Sequence, residues 1–214
     1  TDLNVAPALL GSAAMAKLAI GFRAHTGWAV AVALAGPPSA PAVVDRRRLD
    51  LTDPEVPRQA FHVAADLDAG AAEELVERAT RTAETLAERA VRGLVGELAS
   101  AGHQVAGAGV TLGSGRQLGT LAQVLASHAA MHAAEGELYR EVLVHASAAC
   151  ALAVTGVPER DLYDRAAAVL RVPVPDLRRR VAELGRACGP PWAQDQKSAA
   201  LVAWVALAAT PGAA

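Results

Sequence analysis

Lys17–Ala35 (KLAIGFRAHTGWAVAVALA) decides the fold of this chain. In its first part Leu18, Ile20 and Phe22 alternate with smaller or polar residues, the period-two pattern of a strand. In its second part Trp28, Val30, Val32 and Leu34 alternate with alanines in the same way. Ala24–Gly27 is a short turn between them, so the two runs pair as a hairpin. Gly36–Ser39 (GPPS) ends the second run. Val43–Leu51 is a third strand, with Arg46, Arg48 and Asp50 on one face. Short links make the three strands an antiparallel meander.

Beyond the meander the period changes. Pro54–Gly70 reads as a loop, and Ala71–Ala101 as an amphipathic helix with Leu75, Ala79, Leu86, Ala90, Leu94 and Leu98 on its apolar face. Glu74–Arg78, Glu77–Arg81 and Glu88–Arg92 are favourable pairs on its outer face. Gln104–Leu112 is a fourth strand, Leu118–Ala149 a second long helix and Leu152–Val157 a fifth strand. Helices over Pro158–Leu170, Pro175–Ala187 and Asp195–Ala208 close the chain. Strands separated by helices lie parallel to the first through right-handed crossovers. The expected architecture is α/β: a mixed five-stranded sheet, three strands antiparallel and two parallel, with helices on both faces. Residues 15–209 form one domain, residues 1–14 are set aside as a tag or tail, and residues 210–214 as a second tail.

Composition narrows the function. The 214 residues are 52% hydrophobic but only 3% aromatic, so alanine, valine and leucine must fill the core. A net charge of −2 gives no overall attraction to nucleic acid or to a membrane surface. No apolar run reaches the ~20 residues of a membrane span, and no secretion signal opens the sequence. A cytoplasmic location is expected, with Cys150 and Cys188 as buried free thiols.

The element order is that of ribonuclease-H-like proteins, and local residues sharpen it. Ile20-Gly21 followed by Thr26-Gly27-Trp28-Ala29-Val30 resembles the first hairpin of RuvC-type Holliday-junction resolvases. Glu135-Gly136-Glu137-Leu138 through Val154 resembles their second long helix and fifth strand, and Asp195–Leu201 (DQKSAAL) resembles their last helix. The resemblance implies two-metal phosphodiester hydrolysis, in which clustered carboxylates hold two Mg²⁺ ions. It also implies a two-fold dimer. Most of the required acids are missing. Phe22 or Arg23 stands where the first strand should carry Asp, Gly107–Gly115 contains no carboxylate, and Ser198 replaces the second acid of the last helix. Only Asp195 remains as a catalytic candidate. By the same analogy Arg23, His25, Ser114, Arg116 and Asp195 gather around the former active site as an anion or ligand site.

Other clusters stand apart from the resemblance. His128, His132 and Glu135 fall on one helix face at i, i+4 and i+7, with Tyr139 continuing the stripe. Two histidines four apart plus a carboxylate suit a divalent metal, and a polar helix edge explains them too. Otherwise no cofactor is expected. Gly113-Ser114-Gly115-Arg116 leads into a helix, where an anion or a nucleotide phosphate finds backbone N–H groups; a tight turn accounts for the same glycines. Arg46-Arg47-Arg48 suits edge protection, with phosphate contact as the other reading.

Two functions remain open at this point. The favoured one is a catalytically inactive RuvC-like domain acting as a binding or assembly module. The other is a divergent metal-dependent nuclease or hydrolase using Asp195 with His128, His132 and Glu135. A homodimer is expected through the long helix, whose Ala129, Ala130, Ala133 and Ala134 permit close approach. Nucleic acid is an allowed partner without support from charge, and a membrane is not expected.

Overall fold

The computed structural model describes residues 16–115 and 117–210. The first expected tail, residues 211–214 of the second, and Arg116 lie outside the described residues. Strands β1 (Ala16–His25), β2 (Trp28–Ala35) and β3 (Ala42–Asp50) form the meander. Helix α1 (Ala60–Ala64) and the long α2 (Ala69–Ser100) precede β4 (His103–Leu112). Then come α3 (Leu121–Leu125), α4 (His128–Ala149) and β5 (Ala153–Pro158). Helices α5 (Leu162–Leu170), α6 (Val174–Leu184) and α7 (Gln194–Ala209) follow.

The sheet order is β3-β2-β1-β4-β5. β1 pairs antiparallel with β2 and parallel with β4; β2 pairs antiparallel with β3, and β4 parallel with β5. This is the mixed sheet expected from the sequence, with β3 at one edge. Alternation along β1 sends Leu18, Ile20 and Phe22 to a core shared with α2 and α4. Ala19 joins Val30, Val32 and Leu34 in a second core on the opposite face, against α5, α6 and α7. Two cores, one on each face, are what a sheet covered by helices on both sides requires.

Helix α7 lies unusually close to the sheet. Gly21 and Gly109 are direct partners across β1 and β4. A Cβ on Gly21 would overlap the Ala199 carbonyl oxygen, and one on Gly109 the Val202 carbonyl oxygen. Bare backbone at both positions lets the helix backbone rest on the sheet. Ala199 through Leu207 are all buried as a result.

The structure corrects three expectations. The loop Pro54–Gly70 contains α1, too short to show a helical period. The helix expected over Leu118–Ala149 is two helices. Thr120 caps α3, and Gln123 reaches back to its N–H. Ser127, in extended conformation, then accepts the Ala130 N–H and starts α4 anew. Cys150 and Cys188 are free but only half-buried.

Candidate functional site

At the C-terminal end of β1 the side chain of Arg23 turns toward the start of α7. Its Nη1 donates to Asp195 Oδ1 at 2.6 Å. Its Nε and Nη2 donate to Glu159 Oε1 at 3.1 and 2.8 Å. His25 Nε2 lies 3.2 Å from Asp195 Oδ2, and its ring stacks on Trp28 at 4.1 Å. Glu159 follows directly after β5, so the site draws on β1, β5 and α7. The segment before α7 is held to the edge strand by Arg46, which donates to the carbonyls of Gly189 and Pro191 at 2.9 and 2.6 Å. Ala193 N–H donates to Gln196 Oε1 at 2.9 Å, setting the first turn of α7 and with it Asp195.

Sequence reasoning brought Arg23, His25 and Asp195 together, and they are together. It missed Glu159, whose only signal is its place at the end of a parallel strand, where sites in such sheets form. Ser114, expected in this group, opens elsewhere. It lines a cleft of about 160 Å³ with Gly113, His132, Glu137 and Arg140, on the α4 side.

The expected polar stripe on α4 runs from solvent into the core. His128 and His132 are exposed, whereas Glu135 and Tyr139 are buried. The stripe is covered by α1 and the loop before it. Glu135 Oε1 lies 2.8 Å from His62 Nδ1, and Tyr139 donates its hydroxyl hydrogen to the Arg58 carbonyl at 3.1 Å. Burial, then the neighbouring Glu135 carboxylate, pushes the Tyr139 hydroxyl up to about 12, against a smaller opposing pull from Arg58. The rings of His62, His128 and His132 stand 4.5 to 5.1 Å apart. The histidine that completes this cluster, His62, lies in the segment that the sequence presents as loop. Glu135 is engaged by His62, and the ring nitrogens of His62, His128 and His132 form the group whose ligand atoms lie within 4.8 Å of one another.

The expected joint site of Asp195 with His128, His132 and Glu135 is not formed. Asp195 belongs to α7 on one face of the sheet, and the histidines to α1 and α4 on the other.

No protein-family model matches the sequence, and no curated protein matches it. Solved structures do match. Thermus thermophilus RuvC in complex with Holliday junction substrate aligns over 88% of this chain and 91% of its own, with a TM-score of 0.51 and 10% identity. A second Thermus thermophilus RuvC structure aligns over the same shares, with a TM-score of 0.52 and 8% identity. The fold is ribonuclease-H-like, of the RuvC type.

In this RuvC-type fold the end of β1 carries a cation. The end of β4 carries buried Thr111, whose hydroxyl donates to the Phe22 carbonyl at 3.4 Å. Ser198, one turn beyond Asp195, is buried and accepts from Gln194 Nε2 at 3.1 Å. The Asp195 and Glu159 carboxylates are both bound to the Arg23 guanidinium. The arginine run on β3 is likewise engaged. Arg47 pairs with Asp45 and Glu97, both at 2.7 Å; its hydrogen bond to the Asp45 carboxylate, more than any other contact, raises its already high pKa. Arg48 bonds Asp50 at 2.9 Å and lies over the Trp28 ring. Among the described residues no helix is long and apolar enough to cross a membrane.

Proposed function

We propose that this chain is a RuvC-like domain that does not cleave phosphodiesters and works as a cytoplasmic binding or assembly module, as a homodimer. One observation carries the reading: the Arg23 guanidinium is bound by Asp195 and Glu159 at the end of β1. Two-metal hydrolysis needs carboxylates free to hold Mg²⁺, with open positions for the attacking water and the leaving oxygen. A guanidinium neutralises carboxylates through fixed N–H donors and offers no open position. It also repels a second cation at the same spot.

The ligand of such a module is sought first among branched DNAs, because a RuvC of the same fold has been seen with a Holliday junction. The net charge does not argue for it, so binding would rest on local contacts. The cleft beside Ser114 is where an anionic group would be received, as the glycine turn suggested, in competition with Glu137, which pairs with Arg140 at 3.4 Å. A two-fold dimer fits the general preference for closed symmetric assemblies.

The test is cleavage. Branched, duplex and single-stranded DNA and RNA are incubated with Mg²⁺ or Mn²⁺. The expected result is intact substrate. Metal-dependent cleavage that disappears in an Asp195→Asn variant overturns the proposal.

A further inference from the structure

The Arg23 cluster leaves the other face of the sheet unexplained, where three imidazoles meet a buried carboxylate. We propose that His62, His128 and His132 bind one divalent transition-metal ion of the zinc class, with Glu135 orienting His62 as its ligand.

The geometry is already convergent. One ring nitrogen of each histidine lies within 4.8 Å of the others. Tetrahedral zinc with bonds of about 2.0–2.1 Å needs ligand nitrogens about 3.4 Å apart. His128 and His132 stand one turn apart on α4 and are exposed, so small side-chain rotations close the gap. His62 is held from behind. With the Glu135 carboxylate accepting its Nδ1–H, the lone pair of a neutral ring falls on Nε2. That Nε2 is buried and has no hydrogen-bond partner, and Glu135 Oε2 is buried without one as well. Two unpartnered polar atoms on one hydrogen-bonded pair are costly in a protein interior. A bound cation removes much of that cost, since it takes the Nε2 lone pair and its charge offsets the carboxylate. Carboxylate–imidazole–metal relays of this form orient histidine ligands in known metal sites.

The donor set selects the metal class. Imidazole nitrogens suit zinc, copper or nickel, whereas magnesium and calcium take oxygen ligands. Three histidines leave a fourth position for water. The ion would fasten α1 to α4. It stands on the sheet face opposite Arg23 and Asp195, so this site and the proposed lack of cleavage are independent.

The full chain, stripped with chelator, is titrated with ZnCl₂ by calorimetry and melted with and without zinc. One zinc per chain and a raised melting midpoint are expected. Cobalt in place of zinc should give the intense visible absorption of a tetrahedral site. His128→Ala/His132→Ala changes only exposed side chains, so it keeps the fold and should abolish both binding and the midpoint shift. His145→Ala, on the same helix but outside the cluster, should leave them unchanged. Glu135→Gln should weaken zinc about 10- to 100-fold, as loss of an outer-shell carboxylate does elsewhere. No zinc binding by the unaltered chain, or binding that survives His128→Ala/His132→Ala, overturns the proposal.

Discussion

Arg23 Nη1 stands 2.6 Å from Asp195 Oδ1, joining residues 172 positions apart in the chain. The pair ties the end of β1 to the first turn of α7, and Glu159 closes it from β5. On the proposed reading, Arg23 supplies the positive charge that bound metal would supply between carboxylates. Its side chain is 17% exposed, while Asp195 and Glu159 are 28% and 41% exposed. The ion pairs are therefore partly screened, and their worth is modest.

Arg23→Ala leaves Asp195 and Glu159 without the guanidinium that binds both. A loss of about 1–2 kcal/mol is expected by chemical denaturation, discounted for exposure. Adding Asp195→Asn and Glu159→Gln removes both charges and should restore part of that loss. Millimolar Mn²⁺ should raise the melting midpoint of the Arg23→Ala protein and not that of the parent. An equal Mn²⁺ effect on both would show that Arg23 does not stand in for a metal.

Gly21→Ala tests the close seating of α7. The added methyl overlaps the Ala199 carbonyl oxygen, backbone that has no rotamer to yield. The helix must lift off the sheet or the strand must shift, and a loss of about 3 kcal/mol or more is expected. Gly93→Ala and Gly96→Ala are the contrast. Both sit in α2 with nothing within 4 Å of the new methyl, and each should gain about 0.5–1 kcal/mol. Urea midpoints of the three variants give the comparison.

The sheet was legible because Leu18–Phe22 and Trp28–Leu34 alternate cleanly, and the helices between later strands fix their direction. What escaped were short or capped features. Phe61-His62-Val63 sits in a helix of five residues, less than two turns, which leaves no periodic trace. Alanine-rich sequence hid the break between α3 and α4, although Thr120, Gln123 and Ser127 are standard start signals. With α1 invisible in the pattern, the sequence shows no partner for Glu135, and the stripe on α4 reads as either a metal set or a polar helix edge. Arg23, His25 and Asp195 were grouped through the fold resemblance, since no local motif joins residues so far apart in sequence.

Tyr139 makes alkaline pH a probe of the core. Its hydroxyl is raised to about 12 from an ordinary 10.0, chiefly by burial. Between those values the unfolded chain gives up this proton while the folded chain keeps it. Folding stability therefore falls as pH rises through that window, and the loss levels off above it. Denaturation midpoints between pH 9 and 12, about the span of the shift, should show the decline in the parent. Tyr139→Phe should flatten it, at the cost of the bond to the Arg58 carbonyl. A decline of equal size in Tyr139→Phe would assign it to other groups.

Self-association is expected from the α1–α3–α4 layer, the layer that carries the alanine stripe of α4. Ala134 is buried with Val124 and Met131, and Ala130 packs against them, which leaves Ala129 exposed and Ala133 half-buried. The same layer also exposes large apolar side chains: Val63 at 43%, Leu67 at 44% and Leu118 at 37%. Val44, at 38%, lies apart on the edge strand β3. Exposed apolar side chains gathered in one layer are more often an interface than scattered ones are. Light scattering at micromolar concentration should give a mass near twice the 21.9 kDa of one chain. Val63→Asp/Leu67→Asp changes exposed positions only, and should shift the mass to one chain without lowering the melting point of the dilute protein. A mass of one chain for the parent at every concentration removes the dimer. A dimer that survives Val63→Asp/Leu67→Asp moves the interface to another face, with the edge strand β3 and Val44 the next to be altered.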